Sequence, residues 1–124
     1  MIKLIGFDLD NTLWPVKPAI IHAEQRLSDF LQSLHQDVRY PHPDTMAYRK
    51  ALIEADPSLA FRLTAFRRAL LINVLSDVPE LQNQAETLAN QAMSLFLDAR
   101  SQVQPYQSAD RVLTALSARF SLCA

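Results

Sequence analysis

The sequence contains a single glycine, Gly6, and a single cysteine, Cys123, among its 124 residues. One cysteine cannot form a disulfide within the chain, which fits the reducing environment of the cytoplasm. Glycine is the usual residue of tight turns and phosphate-binding loops, and its scarcity argues against many of them. We therefore expect a mostly helical chain, or part of a larger protein.

Long apolar runs and an excess of charge of either sign are also missing. No run is long enough to span a bilayer, and Met1 leads into a strand pattern and not into a secretory signal. The formal net charge of −1 gives no reason to expect binding to nucleic acid or to a membrane surface. With 49% apolar and 20% charged residues, the composition predicts an ordinary soluble domain with a modest core.

The most informative stretch is an apolar run that ends in two carboxylates. Residues 2–7 predict a strand buried on both faces of a sheet. Asp8 and Asp10 follow it with Leu9 between them, and alternation would turn both carboxylates to the same side. Because facing carboxylates repel each other, a divalent cation such as Mg²⁺ is the simplest ion to lie between them. Ligand sites of open α/β sheets lie at such strand ends.

Apolar residues then keep helical spacing over four segments that are separated by proline-bearing breaks. These segments predict helices over about 18–35, 43–55, 58–75 and 81–100, packed as a compact bundle. We expect Met46 to be buried in the second helix and Leu63 in the third. A short helix over 108–119 leads into a second strand over 120–124, which predicts a parallel strand pair with a right-handed connection.

The segment 7–13, FDLDNTL, resembles the first motif of the haloacid dehalogenase-like hydrolase superfamily, a hydrophobic strand followed by D-x-D-x-T. The resemblance implies that Asp8 is the nucleophile that forms an aspartyl-phosphate and that Asp10 is the general acid/base. It implies Mg²⁺ as cofactor, held by the Asp8 carboxylate and the Asp10 main-chain carbonyl, with Thr12 fixing the loop. An acid at position 10 favours phosphate esters, since members that release a halide need no proton donor and lack one there.

The order of elements is similar to that of superfamily members with a helical C1 cap. It implies a cap over 15–104, inserted into an α/β core formed by 1–14 and 105–124, and a small phosphorylated metabolite as substrate. Overall similarity is closest to bacterial phosphatases of flavin mononucleotide and other small phosphates. The family's later Ser or Thr, Lys and acidic pair have no counterpart, because the chain ends at Ala124. We therefore expect an incomplete Rossmann-like core of two parallel strands and a truncated phosphatase, with impaired or no activity unless another chain completes it.

Two other functions are compatible with the residues: a non-catalytic helical interaction module or vestigial domain, and a sugar-phosphate mutase. Asp8 and Asp10 could also be polar loop residues without a catalytic role. Three arginines of the third helix could meet a phosphorylated substrate, although a solvated face is the favoured interpretation. These are Arg62, Arg67 and Arg68.

The remaining reactive side chains favour structural roles. His22, His35 and His42 place no two imidazoles on one helical face, which favours surface histidines over a metal site. Trp14 is expected to pack just after the motif. Cys123 is interpreted as a small core residue of a buried strand and not as a nucleophile.

Overall fold

Helices dominate the computed structural model, which describes residues 1–124. The elements are β1 (Leu4–Gly6), α1 (Val16–Leu34), α2 (Thr45–Ala55), α3 (Leu63–Ser76), α4 (Ala85–Arg100), α5 (Ala109–Ser117) and β2 (Ser121–Cys123), with short 3₁₀ turns at Pro57–Ala60 and Gln82–Gln84. The mostly helical α/β class, the four bundle helices and the helix before the second strand are therefore confirmed. None of the helices combines the length and the apolar composition that a membrane span requires.

The two strands form a parallel sheet, as the strand–helices–strand order predicted. Leu4 lies opposite Ser121, and Gly6 lies opposite Cys123. The ladder continues one residue beyond β1, where the N–H of Phe7 donates to the carbonyl of Cys123 at 2.9 Å. The loop that carries Asp8 and Asp10 therefore leaves directly from the end of a hydrogen-bonded strand.

The buried core lies in the helical bundle and not around the sheet. A cluster of 14 buried residues is formed by α1, α3, α4 and the loops between them. Its largest fully buried side chains are Leu27, Leu31, Leu71, Val74 and Leu75. Alanines supply many of the buried positions on α1 and α4, which lets these two helices approach closely.

The prediction that the first strand is buried on both faces is wrong for this structure. Leu4 is 59% exposed and Ile2 is 69% exposed. Cys123 is exposed as well, so its interpretation as a core residue is also wrong. The physical reason is that a sheet of two short strands, with α5 packed against β2, has too few neighbours to enclose both faces.

Two positions expected to be buried in the bundle lie at its surface. Met46 is 76% exposed and Leu63 is 70% exposed. The predicted third helix is divided, because the 3₁₀ turn at Pro57–Ala60 ends before α3 begins at Leu63. Leu63 is the first residue of α3, about two turns before Leu70, and no neighbouring element covers it there, whereas Leu70 and Val74 are buried farther along the same helix.

Candidate active site around Asp8 and Asp10

The loop after β1 is a tightly hydrogen-bonded turn that carries both aspartates. The main-chain N–H groups of Thr12 and Leu13 both donate to the carbonyl of Leu9, at 3.1 and 2.9 Å. The N–H of Asn11 donates to the carbonyl of Trp14 at 2.7 Å. These bonds hold the backbone on both sides of Asp10 in one conformation.

Asn11 provides the sharpest bend in this turn. Its φ of 59° lies in the left-handed region, which asparagine enters more readily than most residues. Its side-chain Oδ1 accepts a hydrogen bond from the N–H of Val16 at 3.1 Å. Val16 is the first residue of α1 and its N–H has no partner within the helix, so Asn11 joins the turn to the bundle.

Asp8 is the exposed carboxylate of the pair, and Thr12 supports it. The Thr12 hydroxyl donates to Oδ2 of Asp8 at 3.2 Å. The other carboxylate oxygen makes no hydrogen bond within the chain. Asp8 is thus oriented on one side and open on the other, which is the arrangement that a nucleophile or a metal ligand needs.

Asp10 is held more firmly, by two donors. The indole N–H of Trp14 donates to Oδ1 at 3.0 Å. The guanidinium of Arg100 donates to Oδ2, also at 3.0 Å, from the last residue of α4. Because each oxygen of the Asp10 carboxylate accepts a bond, proton exchange with a substrate requires one of these contacts to open.

Trp14 and Arg100 are the site residues that the sequence patterns did not identify. Trp14 follows Asp10 by four residues, and an indole N–H beside an apolar loop needs an acceptor, so local reasoning could have paired them. Arg100 lies 90 residues beyond Asp10 in the chain. No local signal identifies it, since only the folded bundle brings the end of α4 to this loop.

The oxygen atoms of this loop suit Mg²⁺ only in the combination that the motif implies, the carboxylate of Asp8 with the main-chain carbonyl of Asp10. Mg²⁺ prefers oxygen ligands and is commonly held by one or two carboxylates, with water and substrate phosphate completing its shell. The open oxygen of Asp8 suits this use, whereas the Asp10 side chain is occupied by Trp14 and Arg100. The Asp10 contribution would therefore be its main-chain carbonyl. No group of three or more His, Cys, Asp or Glu side chains is placed to hold a metal.

The arginines of the third predicted helix are not brought to the two aspartates. Arg62 donates to Ser58 at 3.4 Å, and Arg68 donates to Asn90 at 2.7 Å. Both lie on the surface side of the bundle, as the favoured interpretation predicted for this group.

Arg67 departs from that interpretation and has a structural role. It forms an ion pair with Glu24 at 2.7 Å and donates to the hydroxyl of Tyr40 at 3.0 Å. Its guanidinium lies 4.1 Å from the ring centre of Phe96. Burial and the neighbouring Glu24 carboxylate raise the pKa of Tyr40 to about 12, although Arg67 opposes the shift. The solvated-face prediction is therefore wrong for Arg67, because its charge is matched inside the bundle.

The three histidines lie apart from one another. His22 is exposed on α1. His35 lies 3.7 Å from Asp37, and His42 lies 3.6 Å from Asp77. Each partly buried imidazole thus has its own carboxylate neighbour.

Comparison with known proteins relates the whole chain to two hydrolytic enzymes, although no protein-family model matches it. The chain is 28% identical, over 124 residues, to 5-amino-6-(5-phospho-D-ribitylamino)uracil phosphatase YigB of Escherichia coli strain K12, covering 99% of this chain and 52% of that protein. It is 36% identical to the crystal structure of a 2-haloacid dehalogenase from Pseudomonas syringae pv. tomato DC3000. That match has a TM-score of 0.86 and covers 98% of this chain and 54% of the other. The chain spans about half the length of each relative.

Proposed function

Because sequence and fold both relate this chain to the haloacid dehalogenase-like hydrolases, as its first motif predicted, we propose that it carries the nucleophile and the general acid/base of a phosphatase. The observation that carries the proposal is the arrangement of the two carboxylates. Both lie on one hydrogen-bonded turn beyond a strand, with Asp8 open to an incoming substrate and Asp10 held by two donors. Residues 15–104 would form the C1 cap, and 1–14 with 105–124 a partial core.

In the proposed reaction, an oxygen of Asp8 attacks the phosphorus of a small phosphate monoester. The bond to the leaving oxygen breaks, and that oxygen takes a proton from Asp10, which leaves an aspartyl-phosphate on Asp8. Asp10 then removes a proton from water, whose oxygen attacks the phosphorus and releases phosphate. Mg²⁺, when bound through Asp8, would reduce the repulsion between the carboxylate and the phosphate.

The neighbours of the two aspartates have separate roles in this scheme. Thr12 keeps one Asp8 oxygen engaged, so that the other is presented to the substrate. Trp14 holds Asp10 from its own loop, and Arg100 holds it from the bundle. Because Arg100 belongs to the bundle, a movement of the bundle would release its contact with Asp10 and not that of Trp14.

The two relatives are named for different reactions, and the residue at position 10 supports one of them. A halide leaves without a proton, whereas an alkoxide leaving group needs one. The acid at Asp10 therefore supports phosphate ester hydrolysis. The substrate would be a small phosphorylated metabolite in the cytoplasm, with a second chain completing the core if the chain is incomplete.

A non-catalytic interaction module is the second candidate, and the position of the core supports it. The buried cluster lies in the bundle, so the bundle could fold and present a binding surface without a complete sheet. A sugar-phosphate mutase would share the same first step but would return the phosphoryl group to a sugar instead of to water.

The test is hydrolysis of p-nitrophenyl phosphate by the purified chain, with and without Mg²⁺. We expect Asp8→Asn to abolish turnover and Asp98→Asn, an exposed matched control on α4, to leave it unchanged. Because p-nitrophenolate leaves without a proton, Asp10→Asn should still form the aspartyl-phosphate but hydrolyse it slowly, so that a phosphate adduct accumulates in the mass spectrum.

Turnover that persists in Asp8→Asn would contradict the mechanism. Chloride release from a 2-chlorocarboxylic acid, without phosphatase activity, would instead assign the dehalogenase reaction. A folded wild-type chain with neither turnover nor a phosphate adduct on Asp8 would favour the interaction module. Isomerised sugar phosphate without phosphate release would identify a mutase.

A further inference from the structure

The two donors that hold Asp10 differ in how firmly they are placed. The indole N–H of Trp14 donates to Oδ1 and the guanidinium of Arg100 donates to Oδ2, each at 3.0 Å. Both groups can donate hydrogen bonds but cannot accept them. Proton exchange at Asp10 therefore requires one donor to withdraw, and the donor that stays decides which oxygen is presented to the substrate.

The contact with Trp14 is fixed by the turn itself. Asp10 and Trp14 face each other across a backbone bridge, and the N–H of Asn11 donates to the carbonyl of Trp14 at 2.7 Å. The left-handed φ of Asn11, 59°, closes this turn. The pair of Asp10 and Trp14 is partly buried, so an indole N–H that moved away would lose a bond to a charged acceptor that water replaces only in part.

The contact with Arg100 is held less firmly. Both side chains of this ion pair are 43% exposed, and exposed pairs contribute little because water can solvate each partner. Arg100 also reaches Asp10 with a long side chain, from the end of a helix 90 residues farther along the chain. Arg100 is therefore the donor that withdraws, and Trp14 is the donor that stays.

We infer that Trp14 is a positioning residue for the general acid/base, an inference that rests on the proposed phosphatase reaction. Its indole N–H holds Oδ1 of Asp10 and so presents Oδ2 to the substrate. The hydroxyl oxygen of a carboxylic acid accepts a hydrogen bond less well than its carbonyl oxygen. Oδ2 is therefore the oxygen that gives a proton to the leaving group and later takes one from water. In this role Trp14 acts only through Asp10 and needs no contact with the substrate.

A purely structural role for Trp14 predicts a different effect. If the indole only packed against the loop, its loss would disturb the whole turn, and Asp8 would be affected as much as Asp10. A positioning role affects proton transfer alone. Its loss should therefore slow the cleavage of an ester whose leaving oxygen needs a proton, and not that of p-nitrophenyl phosphate, whose leaving group departs without one.

The test replaces one N–H group. Trp14 is the only tryptophan, so incorporation of β-(3-benzothienyl)alanine, in which sulfur replaces the indole N–H, alters this contact and no other indole. 5-Fluorotryptophan keeps the N–H and is the matched control. First-turnover product release is measured with glycerol 2-phosphate and with p-nitrophenyl phosphate. We expect the benzothienyl protein to release glycerol about tenfold more slowly, an effect of the size of one hydrogen bond to a charged group. Its release of p-nitrophenol, and both rates of the fluorotryptophan protein, should match the wild type.

The outcomes separate this inference from the proposed function. Equal losses on both esters would make Trp14 a structural residue, and unchanged release of glycerol would show that its N–H has no role. Either result overturns the inference and leaves the phosphatase proposal intact. Release of neither product by the folded wild type would contradict the proposed function, and the inference with it.

The hydrogen bond itself can be measured without turnover. The indole ¹H–¹⁵N resonance of Trp14 should shift in Asp10→Ala, which removes its acceptor, and far less in Asp8→Ala, the matched control on the same turn. A resonance that Asp10→Ala leaves in place, or equal shifts in the two variants, would overturn the assignment of Trp14 as the donor to Asp10.

Discussion

The loop that carries Asp8 and Asp10 is expected to open before the helical bundle unfolds. Each strand of the sheet has three residues, and a two-stranded sheet has little independent stability in water. The bundle, by contrast, contains the cluster of 14 buried residues. Stability should therefore be unequal along the chain, with the site attached to the weaker part.

Substitution of one leucine in the bundle and one in the sheet would measure this difference in stability. Leu75 is 0% exposed in the bundle core, so Leu75→Ala removes fully buried methyl groups and leaves a cavity, at a cost of about 3 kcal/mol. Leu4 on β1 is 59% exposed. Since full burial of a leucine is worth about 1.5–3 kcal/mol, Leu4→Ala should cost about 1 kcal/mol at most.

The assay is urea unfolding followed by two probes. Far-UV circular dichroism reports the helices, and fluorescence reports Trp14, the only tryptophan, which donates to Asp10. In the wild type we expect the fluorescence midpoint to precede the dichroism midpoint. Leu75→Ala should lower the dichroism midpoint by about 1–2 M urea, from its cost divided by a typical m-value. Leu4→Ala should lower the fluorescence midpoint alone.

Coincident midpoints in the wild type would refute this reasoning, and so would equal shifts of both probes in Leu4→Ala. Either result would mean that the sheet and the bundle unfold as one cooperative unit. The location of the buried core would then say nothing about the stability of the loop that carries Asp8 and Asp10.

Two further predictions concern ionisable side chains. The pKa of Tyr40 is raised from 10.0 to about 12, chiefly by burial of the phenol. Because the raised pKa means that the folded state favours the neutral phenol, this contribution to the free energy of unfolding is fully present below pH 10 and is lost as the pH rises from 10 to 12. Tyr40→Phe should flatten the decrease of melting temperature across that window, and an unchanged slope would contradict the assignment. The side chains of Arg100 and Asp10 are each 43% exposed, so their ion pair should be weak. A double-mutant cycle with Arg100→Gln and Asp10→Asn, with unfolding followed by Trp14 fluorescence, should give a coupling free energy of about 0.5 kcal/mol that falls with added salt. Purely additive effects of the two substitutions would show that the contact contributes nothing.

The order of elements could be predicted because its signals are local. Apolar spacing and proline-bearing breaks identified four bundle helices, and the strand–helices–strand order identified the parallel pair. Burial was less predictable, because it depends on what packs against an element. Leu63 has the right residue type and spacing for a helical stripe, but it is the first residue of α3, where no neighbouring element covers it. The apolar sequence around Leu4 predicts a buried strand, but a sheet of two strands has too few neighbours to bury the Leu4 side chain.

The loop that carries Asp8 and Asp10 shows the same difference between local and long-range contacts. The pairing of Asp8 with Thr12 lies within one short motif, and so does that of Asp10 with Trp14. Arg100 reaches Asp10 only after the bundle has folded. The prediction of a solvated side chain was also wrong for Arg67. Its ion-pair partner Glu24 lies on a different helix, and the charge pattern of one helical face cannot show a pair between two helices.

The two ends of the bundle meet at this loop, and that arrangement connects fold to chemistry. The side chain of Asn11 bonds the first residue of α1, and the last residue of α4 bonds Asp10. The carbonyl of Leu13 accepts a bond from the N–H of Tyr106 at 2.8 Å, just after the chain leaves the bundle. A rotation of the bundle against the sheet would therefore strain contacts on both sides of Asp10. Of these contacts, the one with Arg100 occupies one of the two Asp10 carboxylate oxygens and depends on the bundle, so the position of α4 would affect whether that oxygen is free for proton transfer.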